Sequence, residues 1–206
     1  MRRLLLLGVV LLASCSSGAE AGDDELPPEC AEGGLLCLLL DEADLAEVFG
    51  DDVTIEGQPA TQLGATVSWC DRPLPTPVER IDRAFTASST TNGVTVAVTS
   101  TGLRYDGADA EVTVTALREL RQGCSWQEGD ATFRFLDHID VADFGDEAIG
   151  LLMRVELDGV SDNTELVFVR HGTFLAQAGF FPAQDSPVLW DAVARRLDER
   201  LIALLG

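Results

Sequence analysis

The segment ELVFVRHGTFLAQAGFF, residues 165–181, decides the fold class of this 206-residue chain. It consists of two apolar runs, 165–170 and 173–181, separated by His171-Gly172, a candidate for a tight turn. Runs rich in Val and Phe are typical of β-strands, and only antiparallel strands can be joined by so short a connection. The segment therefore predicts an antiparallel β-hairpin.

A second hairpin is predicted upstream of the first. Segments 81–90 and 94–101 are strand-like and flank Asn92-Gly93, the dipeptide that best tolerates positive φ at both turn positions. In the second of these strands Val96 and Val98 should share one face, because side chains alternate along a strand. Three further segments have strand-like composition: 64–70, 131–136 and 148–157.

Helices are predicted at both ends of the domain. The first spans about 41–49, with Asp41 as its N-cap and Gly50 as its stop. The last begins at Ser186-Pro187, with serine as the cap and proline at the first helical position. A stripe at helical spacing should bury this last helix against the sheet: Leu189, Val193, Leu197, Leu201 and Leu205.

The segment 108–122 is ambiguous. The alternation in Val112-Thr113-Val114-Thr115 favours a strand, whereas the longer apolar spacing and the stop signal Gly123 favour a helix, which we predict. The predicted order is then helix, three strands, helix, four strands and helix. Such segregated hairpins indicate an α+β domain, with an antiparallel β-sheet that is covered by helices.

The N-terminus has the features of an export signal. Arg2-Arg3 precede the apolar run 4–12, which is about half the roughly 20 residues of a membrane-spanning helix. Residues 1–14 are therefore predicted to be a lipoprotein signal peptide. The end LASC resembles a bacterial lipobox, in which the cysteine is acylated by chains such as palmitate, so Cys15 is the expected lipid anchor. The alternative is an ordinary signal peptide with a chance cysteine.

The rest of the chain divides into a tether and one domain. Residues 15–29 are small, acidic and proline-containing, which is typical of a flexible linker. Residues 30–206 are enough for a single domain with its own core. We expect this domain to be monomeric and held by its lipid at the extracytoplasmic face of the cell membrane.

The charge of the chain excludes one class of partner. The formal net charge is −21, and every basic residue is arginine, which suggests a GC-rich, actinobacterium-like genome. Such a surface repels phosphate backbones and anionic headgroups, so nucleic acid is not an expected partner. Membrane attachment must come from the lipid, because the sequence has no basic patch.

The cysteines support export. Five are present, and an even number remains after the lipid anchor: Cys30, Cys37, Cys70 and Cys124. In an exported domain this predicts two disulfides, with three pairings to choose from. Zinc sites use closely spaced Cys-x2-Cys pairs, which the sequence lacks.

Several motifs occur in an order that resembles a family of actinobacterial lipoproteins with the fold of the extracellular sensor domain of the kinase PknH. They are LLLDEADL (38–45), LRELRQGC (117–124), FGDEA (144–148), LVFVRHG (166–172) and ARRL (194–197). The resemblance covers about 35–206 and implies a disulfide-stapled α+β domain that binds something in the envelope. It also implies that Cys70 pairs with Cys124, which leaves Cys30 for Cys37 by elimination.

The sequence predicts no catalytic, metal or cofactor site. It lacks a Gly-x-Ser-x-Gly elbow and a spare cysteine nucleophile. His171 is expected to serve its turn, because histidine tolerates left-handed backbone. The acidic segment 137–143, which includes His138, could hold a cation, but a solvated loop is the preferred interpretation.

Three functions remain open at this point. The preferred one is a non-enzymatic sensor-like domain that binds a small molecule, an envelope component or a protein at an unidentified site. The others are a carrier of lipid or glycolipid, which needs an apolar cavity above ~300 Å³, and a hydrolase with an unrecognised site. Four aromatic residues could line such a pocket: Trp69, Phe85, Phe133 and Phe174.

Overall fold

A computed structural model describes most of the predicted domain: residues 34–62, 68–70, 72–89, 95–128, 130–184 and 186–206. The predicted signal peptide (1–14), the tether (15–29) and Cys30 lie outside the described residues. The same holds for Asn92-Gly93 and for most of the predicted strand 64–70. Within the described part, no helix has the length and apolar character needed to span a bilayer.

The α+β fold class is confirmed. Nine strands form one antiparallel sheet in the order β1-β5-β6-β11-β10-β9-β8-β7, with β2 also paired to β5, while β3 and β4 form a separate ribbon. The strands are β1 (Val53–Gly57), β2 (Thr61–Gln62), β3 (Ser68–Trp69), β4 (Arg72–Pro73), β5 (Glu79–Ser89), β6 (Thr95–Arg104), β7 (Ser125–Glu128), β8 (Ala131–Ile139), β9 (Glu147–Leu157), β10 (Val160–His171) and β11 (Phe174–Phe181).

The segment that predicted the fold class lies in the middle of the sheet. Strands β10 and β11 pair antiparallel, from Glu165 opposite Phe180 to His171 opposite Phe174. The left-handed position of the turn is Gly172, with φ +55°, a conformation that glycine adopts without steric cost. His171 is not among the non-glycine residues with positive φ, so our reason for placing it in the turn was wrong.

The helices of the described residues that cover the sheet are a short 3₁₀-helix, Leu35–Leu38, and three α-helices: α1 (Glu42–Phe49), α2 (Asp109–Arg118) and α3 (Pro187–Leu205). The N-cap of α1 is a reciprocal capping box, in which Asp44 N donates to Asp41 Oδ1 at 2.9 Å and Asp41 N donates to Asp44 Oδ2 at 3.0 Å. Ser186 caps α3 as predicted.

The ambiguous segment is helical because only a helix lets it bury its apolar residues together. Ala110, Val114 and Leu117 are at most 1% exposed and face the sheet from one side of α2. The predicted stripe of α3 is also buried, except for Leu205, which is 54% exposed. Leu205 is the last residue of the helix, so the sheet no longer covers it there.

The two faces of the sheet carry separate cores. The packed face is covered by α1, α3 and the 3₁₀-helix, and its core includes Leu45, Phe85, Val167 and Leu197. The cavity face is covered by α2 and the β3–β4 ribbon, and its core contains Trp69, Trp126 and Phe168 among others.

Four of the described strands were not predicted: β1, β2, β4 and β7. Two of them, β1 and β7, lie at the ends of the main strand order. Within the described part of the chain, β1 pairs only with β5, and β7 pairs only with β8. An edge strand buries little, as the half-buried and exposed residues of β1 show, so it carries no strong apolar pattern. Strand β4 includes Pro73, which pairs with Ser68 in the ribbon, although proline donates no backbone hydrogen bond and is an unusual strand residue.

Candidate functional site

The cavity face contains a partly open cavity of about 340 Å³ between the sheet, α2 and the ribbon. This volume lies at the lower end of the range for small-molecule sites, ~300 to 1,000 Å³. The lining is mostly apolar and comes from β3 and from strands β5 to β11, together with Tyr105, with Thr113 and Leu117 of α2, and with Leu74 beyond the ribbon. Tertiary structure therefore assembles the site from segments that are far apart in the chain.

One side of the cavity is an aromatic wall formed by Trp69, Trp126, Phe133 and Phe168. The ring of Trp126 lies between two others, stacked on Trp69 at 4.8 Å and on Phe133 at 5.4 Å between centroids. Phe168 meets Trp69 edge to face at 6.1 Å. Stacked and edge-to-face pairs stabilise each other beyond the area they bury, so the wall is a preformed surface.

A disulfide holds the aromatic wall together. Cys70 is bonded to Cys124, with 5.4 Å between the Cα atoms, which confirms the predicted pair. Trp69 precedes one cysteine and Trp126 follows the other by two residues, so the bond ties the ribbon to the start of β7. Cys37 is also disulfide-bonded, but its expected partner Cys30 lies outside the described residues and that pairing stays a prediction.

The opposite side is a polar edge formed by Arg80, Thr99, Thr101 and Gln177. Arg80 Nε and Nη2 donate to the two carboxylate oxygens of Asp82 at 2.9 and 3.0 Å. Thr101 Oγ1 donates to the same carboxylate at 2.7 Å. Asp82, Thr101 and Gln177 are direct cross-strand neighbours on β5, β6 and β11.

Tyr105 contributes a neutral hydroxyl to the lining. Burial raises the pKa of its phenol above the usual 10.0, because the anion would lose its hydration, and this outweighs the hydrogen bond with Thr113 and the charge of Arg80. The hydroxyl therefore stays protonated at neutral pH. Arg80 is then the one charged side chain among the described residues that line the cavity.

Neither histidine lines the cavity. His138 Nε2 lies 3.1 Å from the carbonyl oxygen of Leu117 at the end of α2, and its ring packs against Phe135. His171 Nε2 lies 2.8 Å from Asp198 Oδ1 on α3. Each imidazole therefore forms a contact between the sheet and one helix, α2 for His138 and α3 for His171.

The acidic segment 137–143 forms no metal centre in the structure. Its first three residues belong to strand β8 and not to a loop as expected. At the bulge in this strand, Asp137 Oδ1 accepts a hydrogen bond from the backbone N–H of His138 at 2.9 Å, which is a local interaction. In the part of the chain that the structure describes, no three His, Cys, Asp or Glu side chains are grouped so that they could hold a metal ion.

Two of the four aromatic residues that were expected from the sequence to line a pocket do line the cavity. Trp69 and Phe133 line the cavity, whereas Phe85 and Phe174 belong to the core on the packed face. The assignment failed because the face on which a residue lies depends on strand register. The proximity of Trp126 to Cys124 was a usable signal, because the cysteine pair brings that tryptophan beside Trp69.

Comparison with known proteins gives a fold but no family. No family model matches the chain, and no curated protein matches it significantly. The extracellular domain of PknH from Mycobacterium tuberculosis matches with a TM-score of 0.52 and 10% identity, over 81% of this chain and 94% of that one. A Mycobacterium smegmatis protein, the Rv0999 ortholog, matches with a TM-score of 0.42 and 10% identity, over 84% and 95% of the two chains. The chain thus shares the fold of the PknH extracellular domain.

Proposed function

We propose that this protein is a cell-surface lipoprotein whose domain binds a small molecule in the cavity without catalysing a reaction. The observation that carries the proposal is the 340 Å³ cavity between an aromatic wall and a polar edge. Small-molecule sites are typically concave and apolar, with a few polar groups that orient the ligand. The cavity has each of these features.

The aromatic wall supports binding because its side chains are largely buried, although they border an open cavity. Trp69 and Trp126 are each 8% exposed, and Phe168 is 3% exposed. Apolar side chains around an open volume lose dispersion contacts that a ligand could restore. A ligand with an apolar body would therefore gain free energy by displacing water from the wall.

Absence of catalysis is inferred from how the reactive groups are used. The imidazoles of His138 and His171 are engaged with a carbonyl oxygen and a carboxylate, outside the cavity. A general base must reach the proton that it abstracts within about 3 Å, and neither imidazole lines the site. A sensor-like domain needs no such group.

Attachment to the membrane is proposed through Cys15. The lipobox-like LASC ending supports acylation, and the likeness to a domain described as extracellular agrees with an extracytoplasmic position. Cys15→Ala should abolish labelling with palmitate, because acyl transfer requires the thiol. Equal label on the variant and the wild type would contradict the anchor.

Binding can be tested with N-phenyl-1-naphthylamine, a neutral probe whose fluorescence rises in apolar surroundings. The wild type should bind the probe, and Val155→Asp should lose binding, because Val155 lines the cavity and a carboxylate there opposes an apolar ligand. Leu157→Asp is the matched control, since Leu157 lies on the same strand, 47% exposed and outside the lining. Equal binding by both variants would refute the site.

One observation favours a carrier as the second candidate. The cavity exceeds the ~300 Å³ that an apolar carrier site requires, although only by a small margin. A carrier should accelerate transfer of a labelled lipid between vesicles, whereas a receptor for a small molecule should not. Transfer that is lost in Val155→Asp and kept in Leu157→Asp would establish the carrier.

A further inference from the structure

We infer that Gln177 recognises the ligand, and that the ligand is a neutral molecule with a flat apolar body and one hydrogen-bonding group such as a carboxamide. The inference rests on the proposed function, because it concerns the same cavity. It assigns the specificity of the site to one side chain and names the chemistry that this side chain accepts.

Gln177 is an unusual residue for its position. It lies in β11 in the middle of the sheet, between the fully buried Ala176 and Ala178, and its side chain lines the cavity. Among the described residues its amide has no hydrogen-bond partner. The amide is partly buried beside the partly open cavity, so water can reach it. A ligand that reproduces the hydrogen bonds of that water can replace it without breaking a hydrogen bond within the protein.

The surroundings of Gln177 place it where the two sides of the cavity meet. Its cross-strand neighbours are Thr101 on β6, from the polar edge, and Phe168 on β10, from the aromatic wall. A ligand whose body contacts the wall would therefore bring its polar end to the amide. An amide both donates and accepts, so a carboxamide can form two hydrogen bonds with it.

The charges at the site exclude a charged polar end. Arg80 is already paired with both carboxylate oxygens of Asp82, and Thr101 donates to the same group. A ligand anion would have to compete with Asp82 for Arg80, and a ligand cation would have to compete with Arg80 for Asp82. A neutral end avoids both conflicts.

The cavity volume limits the body of the ligand. At about 340 Å³ the cavity lies at the lower end of the range for small-molecule sites, ~300 to 1,000 Å³. It therefore suits one compact ring system. The rings of Trp126 and Phe133 are stacked on each other, with 13° between their planes. Because both faces of Trp126 are covered by Trp69 and Phe133, a flat ring in the cavity can meet this row edge to face, which is a favoured geometry for aromatic rings.

Three probes with the same ring system test the inference by displacement of N-phenyl-1-naphthylamine: naphthalene, 2-naphthamide and 2-naphthoate. The wild type should bind 2-naphthamide roughly three- to tenfold more tightly than naphthalene, as expected for one or two net hydrogen bonds. It should bind 2-naphthoate more weakly than the amide. Gln177→Leu should lose the preference for the amide and keep its affinity for naphthalene.

Gln177→Leu should fold normally, because it replaces an unpartnered amide with an apolar group, and a thermal melt checks this. Gln127→Leu is the matched control, since Gln127 is exposed on β7 and outside the cavity lining, and it should keep the amide preference.

The inference is overturned if Gln177→Leu still prefers the amide or if 2-naphthoate binds most tightly. Binding of N-phenyl-1-naphthylamine without any amide preference overturns the inference alone, while failure of every probe overturns the proposed function as well.

Discussion

The two faces of the sheet are built differently. The packed face is closed by the long helix α3 together with α1, and residues such as Val193, Leu197 and Leu201 are fully buried there. Among the described residues, the cavity face is covered by only the short helix α2 and a two-stranded ribbon. The cavity therefore exists where the helical cover is incomplete, and the aromatic wall takes the place of a second helix.

The two faces of the sheet also differ in how accessible their charged side chains are. On the packed face Arg200 donates to Asp44 Oδ2 from Nε at 3.0 Å and from Nη2 at 2.6 Å, and to Asp41 Oδ2 at 2.5 Å. This triad joins α3 to the capping box of α1. On the cavity face the polar edge stays accessible. Changes on the packed face should therefore affect stability alone, and changes around the cavity should affect binding.

The largest effect is expected from the disulfide on the cavity face. Replacing Cys70 and Cys124 by serine removes a link between residues 54 positions apart, which costs about 4 kcal/mol in the chain-entropy model. Chemical denaturation of the two forms measures this. Arg72→Met is the control, because the Arg72–Glu119 ion pair joins the same ribbon to the end of α2 but is exposed and should contribute little. A double-serine variant as stable as the wild type would contradict the proposed role of the bond.

The next largest effect is expected on the packed face. Arg200→Met leaves the carboxylates of Asp41 and Asp44 without their partner in a buried position, which should lower the free energy of unfolding by about 3 kcal/mol. Arg195→Met, on the exposed side of α3, should change it by no more than about 0.5 kcal/mol. Under conditions in which they are folded, both variants should bind N-phenyl-1-naphthylamine with the same affinity as the wild type. Loss of binding by a folded Arg200→Met variant would break the separation between the faces.

A smaller, pH-dependent effect is expected at Glu147, which joins Arg118 of α2 to Arg170 of β10. Burial alone would raise the pKa of this carboxyl, but hydrogen bonds and charges from both arginines outweigh it and hold the pKa below its usual 4.5. The ion pairs therefore stabilise the fold above pH 4.5, and this stabilisation is lost as the pH falls through the lowered pKa.

Glu147→Gln should accordingly cost about 1 kcal/mol at pH 7 and progressively less below pH 4.5, measured by denaturation across that range. Glu156→Gln, an exposed site on the same strand, should show no such convergence. A constant difference between wild type and Glu147→Gln at all pH values would contradict the ionic origin.

The smallest effects are expected at the histidines. His171→Ala and His138→Ala each remove one contact between a helix and the sheet, and each should cost no more than about 1 kcal/mol. Neither should change probe affinity or, in a deletion strain, complementation of an envelope phenotype. A histidine variant that melts normally but fails to complement would favour an enzyme or a metal site over a binding domain.

The features predicted correctly from sequence are local ones. The cap at Asp41, the turn at Gly172 and the start of α3 at Ser186 each depend on a few adjacent residues. The face assignments of the cavity were not predictable in this way. Strands β10 and β11 are buried on both faces, so they lack the alternation that separates an inner from an outer face.

Gln177 is a proposed binding residue that sequence patterns do not identify. Within FLAQAGFF it is one polar residue in a strand, and no periodic rule marks it as a binding residue. Its proposed role in binding depends on Thr101 and Phe168. These residues are 76 and 9 positions away in the chain and become its neighbours only through sheet register. The sequence resemblance predicted the fold and the Cys70–Cys124 pair, but it carried no information about this contact.

Native mass spectrometry of the lipidated protein, extracted from its own envelope, tests the central claim that the cavity face is a binding site. Wild type and Leu157→Asp should each carry one additional small-molecule mass beyond the acyl anchor, and Val155→Asp should lack it while remaining folded. If the wild type carries no such mass, or if Val155→Asp retains it, the cavity is not the binding site of this protein.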